Sequence, residues 1–299
     1  MRPFPAWISG PAAIGLLCTA ASANAQSALP PETGESDDAI VVTGETEQPA
    51  RKEVYEQARE LSRVGRYQLY EEALPRFEAP LCPGVFGLRD DYAAEIVARI
   101  RANAARLEIA TDAEGCTPNL LVAFMDDGRS FLSDFERRHP RMFRMVSSLE
   151  RDELLHEPAP VRVWNNIALR WSGAGPPPAG WPNVRASVRG QLARGFMPET
   201  KVIMSAVVLF DKEAVLGMTL TQIADYATMR GLSHTRPASG DEPMATILAM
   251  FHDGTDTLTA FDIGYLRSLY YVQANLSAGA RFVRVRGRME DAAEAKDAP

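Results

Sequence analysis

The chain is poor in the residues that hold metals. Among 299 residues there are 3 cysteines and 4 histidines. Cys18 falls in the N-terminal segment, which leaves Cys82 and Cys116 for the remainder. Two thiols without clustered histidines make a poor zinc site, and no metal or other cofactor is expected. Long apolar runs are also scarce. Beyond the N-terminus nothing approaches the ~20 apolar residues that a bilayer span needs, so no membrane span is expected. Positive charge is thin as well, with a formal net charge of −7. That argues against nucleic acid as a partner, because its phosphates demand a concentrated basic surface. The only dense basic run is "RFVRVRGR" (281–288). Its alternation of Phe282, Val283 and Val285 with arginines predicts an exit strand with a solvated face, so residues 281–299 are expected to form a C-terminal strand and charged tail. There is no G-x-S-x-G nucleophile elbow, no phosphate-binding glycine loop and no internal repeat. "HEPAP" (156–160) begins like a zinc motif, but its prolines exclude the helix that would present the ligands.

What is present begins with "MRPFPAWISGPAAIGLLCTAASANAQS". One early positive charge, a short apolar run and Ala23-Asn24-Ala25 make a secretory signal over residues 1–25, with cleavage expected after Ala25. Leu17 stands before Cys18 where a lipid anchor would need a small residue, so no anchor is expected. Secretion to the periplasm or beyond implies an oxidising compartment, in which Cys82 and Cys116 should form a disulfide. Closing a loop of about 35 residues would stabilise the fold by about 3–4 kcal/mol. Removal of the signal leaves about 270 residues, enough for one large domain or two small ones.

Residues 26–50 are rich in Pro, Ser, Gly, Glu and Asp without apolar periodicity, which predicts a disordered leader. "RKEVYEQARELSRV" (51–64) reads as a solvated helix within a helical lead-in over 51–75. Pro80 and Pro83 force "RFEAPLCPGVFG" (76–87) to be extended. Ile96, Val97, Ile100 and Ala104 then form one stripe of an amphipathic helix over 91–109. "NLLVAFMDD" (119–127) predicts a buried strand. Segment, helix and strand form a crossover that sets two parallel strands side by side, clipped at its ends by the disulfide. A second helix is expected over Ser130–His139, ended by Pro140. Strands follow at 161–171 and 201–211, separated by a loop at 173–182. The alternation of strands and helices argues for one α/β (α+β) domain over 76–280, a mixed sheet packed on helices.

"TQIADYATMRGLSH" (221–234) has helical apolar spacing. Thr219 and Gln222 have capping-box spacing, Leu220, Ile223, Ala224 and Ala227 form a buried stripe, and Gly231 stands where a left-handed C-terminal cap would fall. With "ATILAMF" (245–251) and "LTAFDIGYLRSLY" (258–270), this stretch resembles the C-terminal half of a metzincin, most closely the matrixin branch. There a strand leads to a helix carrying H-E-x-x-H-x-x-G-x-x-H, followed by a methionine-containing turn and a helix of the form L-x-x-x-D-I-x-x-I-x-x-L-Y. Asp262, Ile263, Leu266, Leu269 and Tyr270 fit the last element, Gly231 fits the glycine, and His234 falls on the third ligand. Ala224 stands at the first histidine, Asp225 at the general-base glutamate, Thr228 at the second histidine and Leu248 near the methionine. The resemblance covers residues 201–270 and implies a single zincin-like domain with a degenerate site at Ala224, Asp225, Thr228 and His234. Alanine offers no lone pair and a threonine hydroxyl is a poor zinc ligand. His234 is expected as an ordinary surface or capping residue.

Three functional expectations follow. The first is a non-catalytic, metzincin-like periplasmic protein that binds a peptide or envelope-protein partner by strand addition along its sheet edge. The second is a hydrolase with an unconventional metal site using Asp225, His234 and His252. The third rests on "DDAIVVTGE" (37–45), which resembles the TonB box and would act as a pairing segment in the envelope. "FHDGTDTLTAFD" (251–262), with His252, Asp253, Asp256 and Asp262, departs from calcium-loop spacing and reads as a polar turn.

Overall fold

The structure, a computed structural model, describes residues 49–156, 159–171, 196–252 and 254–297. The signal segment, the leader apart from residues 49–50, its IVVTG stretch, the 173–182 loop and Asp253 lie outside the described residues. No helix among the described residues is long and apolar enough to cross a membrane.

Helix α1 (Arg51–Leu61) is amphipathic rather than solvated all round. Val54, Ala58 and Leu61 recur at helical spacing and are buried together with Gln57, whose amide exchanges hydrogen bonds with the Met244 backbone at 2.9 Å each way. The helix stops at Leu61, and a short 3-10 turn at Arg66–Gln68 follows. The lead-in is therefore helical only in part.

Strands β1 (Arg76–Phe77) and β2 (Pro83–Phe86) occupy the proline-marked extended segment. Helix α2 (Asp90–Arg106) buries Ile96, Ile100, Asn103 and Ala104, and strand β3 (Leu120–Met125) returns parallel to β2 with Val85 opposite Val122. Cys82 and Cys116 are bridged. The expected disulfide-clipped crossover is thus present. Helix α3 (Gly128–Arg138) begins two residues before Ser130, because the Asp127 carboxylate accepts from the Ser130 amide and caps the helix. A 3-10 turn at Pro140–Phe143 leads to α4 (Ser148–His156).

Strands β4 (Val161–Trp171) and β5 (Glu199–Asp211) pair antiparallel along their full length. β5 also pairs in parallel with β1 at Val202 and Ile203 and with β3 from Ala206 to Asp211. A strand has two edges. β4 occupies one edge of β5, so β1 and β3 share the other end to end, with β2 beyond β3. The β4–β5 ladder contains a bulge: Asn166 lies opposite Ser205 and Ile167 opposite Ile203, which leaves Met204 without a partner. The result is a mixed, mainly parallel five-stranded sheet, the α/β class expected.

Alternation along the strands divides the core in two. Val122, Phe124, Val163, Val208 and Phe210 face the larger cluster, which includes α1, α2 and the C-terminal helices. Ala123, Trp164 and Leu209 face a smaller one with Leu132, Phe143 and Leu154. The C-terminal part comprises α5 (Leu220–Leu232), a 3-10 turn at Ile247–Ala249, α6 (Ala260–Tyr270) and α7 (Ala278–Asp297).

α7 corrects the exit strand expected at 281–288. Phe282 and Val285 are buried and Met289 packs against the same cluster, at spacing that places all three on one helical face, whereas Val283 is exposed. Gly264 lets α6 and α7 approach closely: a Cβ there would lie 2.8 Å from the Val285 carbonyl oxygen. Arg281 is not solvated either. It is fully buried and donates to the carbonyls of Leu269, Gln273, Ala274 and Leu276, closing the C-terminal end of α6.

Candidate functional site

The capping box on α5 forms as its spacing predicts. The Gln222 amide N–H donates to Thr219 Oγ1 at 3.1 Å, and the Thr219 N–H donates to Gln222 Oε1 at 2.9 Å. From Gln222 to Leu232 every residue of the helix is buried, so its stability needs no site. Gly231 corrects an expectation. It is not a left-handed cap but lies inside the helix, which runs to Leu232. Its lack of a side chain serves packing, since a Cβ there would lie 2.4 Å from Leu120 Cδ1 on β3.

Asp225 is 0% exposed and turned toward α2. Arg99 grips both oxygens, Nε to Oδ1 and Nη2 to Oδ2, each at 2.7 Å. Asn103 Nδ2 donates to Oδ1 at 2.6 Å, while the Thr257 hydroxyl (2.6 Å) and the Leu258 amide (3.0 Å) donate to Oδ2. Burial raises its pKa, but these donors outweigh that and hold the carboxyl below the usual range. Thr228 is joined to the same network. Its hydroxyl donates to the Ala224 carbonyl at 2.8 Å and accepts from Asn103 at 3.1 Å. Ala224, also buried, contributes a methyl group to the core. A carboxylate with five donors already in place is a structural anion.

His234 is elsewhere: where a surface or capping residue was expected, its side chain is 17% exposed and its Nε2–H donates to Glu150 of α4. Burial holds its imidazole below the usual range although Glu150 raises it. Arg63 completes the group, 2.7 Å from Glu153 and 3.7 Å from Glu150. Burial alone would raise the Glu150 carboxyl, but His234 and Arg63 bring it down to about 2. These groups line a cleft of about 290 Å³ beside β4, together with Met145, Leu149 and Ile167.

The remaining candidates are dispersed. His252 and Asp256 are exposed. Asp262 is fully buried and accepts from Thr246 Oγ1 at 2.6 Å, the Ile247 amide at 2.8 Å and the Thr259 amide at 2.9 Å. Burial pushes its carboxyl up to about 6 against those bonds. It ties the turn containing buried Leu248 to α6. His156 is exposed, paired with Asp152 at 2.9 Å. Asp225, His234 and His252 share no hydrogen-bonding partner, and among the described residues no group of three or more His, Cys, Asp or Glu is placed to hold a metal ion.

Three residues of these networks, Arg63, Arg99 and Glu150, carried no motif. For Arg63 and Arg99 the sequence holds no local signal, because their partners lie far along the chain. Glu150 had one in Ser147, three residues earlier, whose hydroxyl donates to its Oε2 at 3.1 Å. Arg230, buried on α5 and bonded to the Tyr226 hydroxyl at 2.8 Å, had another: it stands one turn after Tyr226 on a helix that is otherwise buried and mostly apolar. No protein-family model, no curated protein and no solved structure matches this chain.

Proposed function

We propose that this chain is a secreted, periplasmic protein whose metzincin-like domain binds an extended peptide segment of a partner without cleaving it. The observation that carries this reading is the outer edge of β4. This strand of 11 residues has β5 as its one strand partner among the described residues. An unpaired edge is a template for strand addition, in which backbone hydrogen bonds supply affinity and flanking pockets supply specificity. A cleft and exposed apolar side chains lie beside this strand. The His234 cleft presents the exposed side chains of Met145 and Leu149, and Leu169 extends from β4 two residues beyond Ile167.

The order of elements supports the family likeness: strand β5, the capped helix α5, the turn at Ile247–Ala249, and α6 carrying Asp262. The positions that would perform hydrolysis support the non-catalytic reading. The oxygens of Asp225 and Thr228 are engaged within the fold, and Ala224 has no donor atom. Location in an oxidising compartment is supported by the Cys82–Cys116 bridge and the signal-like N-terminus.

The reading is tested by selecting phage-displayed random heptapeptides on the purified protein and mapping amide hydrogen exchange with a selected peptide bound. Slowed exchange over residues 161–171 is the expected outcome. Protection confined to other elements, or no selection above background, would refute strand addition. Stoichiometric zinc released by His234→Ala would instead support a metal-dependent hydrolase.

A further inference from the structure

Arg230 lies on α5 and is 3% exposed. A guanidinium carries five N–H donors. Arg230 makes one hydrogen bond among the described residues, from Nη1 to the Tyr226 hydroxyl at 2.8 Å. Among the described residues its Nε is buried with no hydrogen-bond partner and it forms no ion pair, although its guanidinium lies 5.6 Å from the centre of the Tyr226 ring. Arg281 supplies the contrast. It too is buried without a carboxylate, but four backbone carbonyls surround its guanidinium. Arg281 is complete as a structural element, whereas Arg230 is not. An arginine stays charged in proteins, and a buried charge left unpaired is a standing cost to the fold. A well-packed methionine or leucine would remove that cost.

The placement of Arg230 indicates what would offset it. Together with Arg63, Glu153, Leu154, Val161 and Val163 it lines a cavity of about 70 Å³. This cavity lies at the start of β4 and shares the Arg63–Glu153 pair with the His234 cleft. Arg63 pairs with both Glu150 and Glu153, and Arg162, which also lines the cavity, pairs with Asp211 at 3.4 Å. Arg230 is the lining cation that none of these carboxylates reaches among the described residues. A cavity of this size has room for a carboxylate. Its walls include Val161 and Val163, same-face neighbours on one strand. A peptide paired with β4 would present a side chain to such a wall, not its backbone terminus.

We propose that this cavity receives the carboxylate of an aspartate or glutamate side chain on the bound peptide, with Arg230 as its counter-charge. The proposal rests on the strand-addition reading above and names the chemistry of its ligand: an extended, acidic peptide. In a charge-assisted pair of this kind the two N–H···O bonds are short, and much of the strength is lost when the carboxylate becomes an amide.

The test uses the full-length protein and acetylated, amidated valine–threonine octapeptides carrying one glutamate at successive positions, each with a glutamine counterpart. Dissociation constants are measured by calorimetry at low salt. At one position the glutamate peptide should bind about tenfold or more tightly than its glutamine counterpart. Arg230→Met should abolish that preference, and its melting curve should show a folded protein, because the buried unpaired charge that it removes offsets the loss of the Tyr226 hydroxyl's partner. Should that variant fail to fold, Arg63→Gln, which unbalances the same cavity, should reduce the preference instead. Equal binding of glutamate and glutamine peptides at every position would overturn the carboxylate site while leaving strand addition intact. If no peptide binds, strand addition fails, and the site is judged by thermal unfolding in sodium acetate against sodium chloride at equal ionic strength. A rise specific to acetate that Arg230→Met removes would sustain it, and the absence of such a rise would overturn it.

Discussion

Asp225 connects three parts of the molecule through one carboxylate: Arg99 and Asn103 on α2, Thr257 and Leu258 before α6, and its own helix α5. Asp225→Ala should therefore do more than remove a charge, because the Leu258 N–H loses its acceptor in a dry interior and the Asn103 amide keeps only Thr228. Breaking a buried pair from one side costs about 3–5 kcal/mol. The low end is expected here, since Arg99 is 35% exposed and can recover water. Urea unfolding measures it, and a loss under 1 kcal/mol would show that the network is not formed in solution. Glu150 gives a pH signature. Its carboxyl is lowered from 4.5 to about 2, so the folded state favours the ionised form. That contribution is complete above 4.5 and disappears as the pH falls through about 2. The melting temperature of Glu150→Gln should lie below that of the parent at neutral pH, and the gap should close between those two values. A gap that persists undiminished at the acid end would mean that it does not come from the ionised Glu150 carboxylate.

Among the elements, those with a single strong period were legible in the sequence. α2 shows a 3.6-residue stripe, β3 and β5 are apolar runs bounded by turn residues, and α5 announces its start by Thr219 and Gln222. α7 was not legible, because "RFVRVRGR" satisfies two periods at once. Alternation suggested a strand, while Phe282, Val285 and Met289 also satisfy a helix. The deciding fact is Gly264, far away on α6, which opens a seat for the α7 backbone. Gly264→Ala should accordingly force α6 and α7 apart, against the Val285 carbonyl and Met289 Cγ at 2.8 and 2.4 Å from the added methyl. Overpacking of this kind costs about 1–3 kcal/mol. A shifted urea midpoint would register it, and an unchanged midpoint would show that the interface is looser than described.

Over the whole molecule, the sequence revealed the α/β class, the parallel crossover and its disulfide. It revealed the site only in outline. Ala224, Asp225 and Thr228 stood out only through the resemblance to the metzincin helix, their partners on α2 are set by tertiary contact, and no local pattern points from Arg99 to Asp225. His234 read as a surface residue for the same reason: its partner Glu150 comes from α4, on a different stretch of chain. The bulge in β5 has a consequence of another kind, for how long the chain has to be. Ile203 and Ala206 both face the main core although they are three residues apart, and Met204, which is exposed, is the surplus between them. A variant lacking Met204 would be one codon shorter and still in phase, because Ile203 and Ala206 would then be alternate residues of a regular strand. It should fold with a melting temperature close to that of the parent. If it does so yet no longer takes up a peptide along β4, the extra residue is there to shape the surface and not to complete the fold.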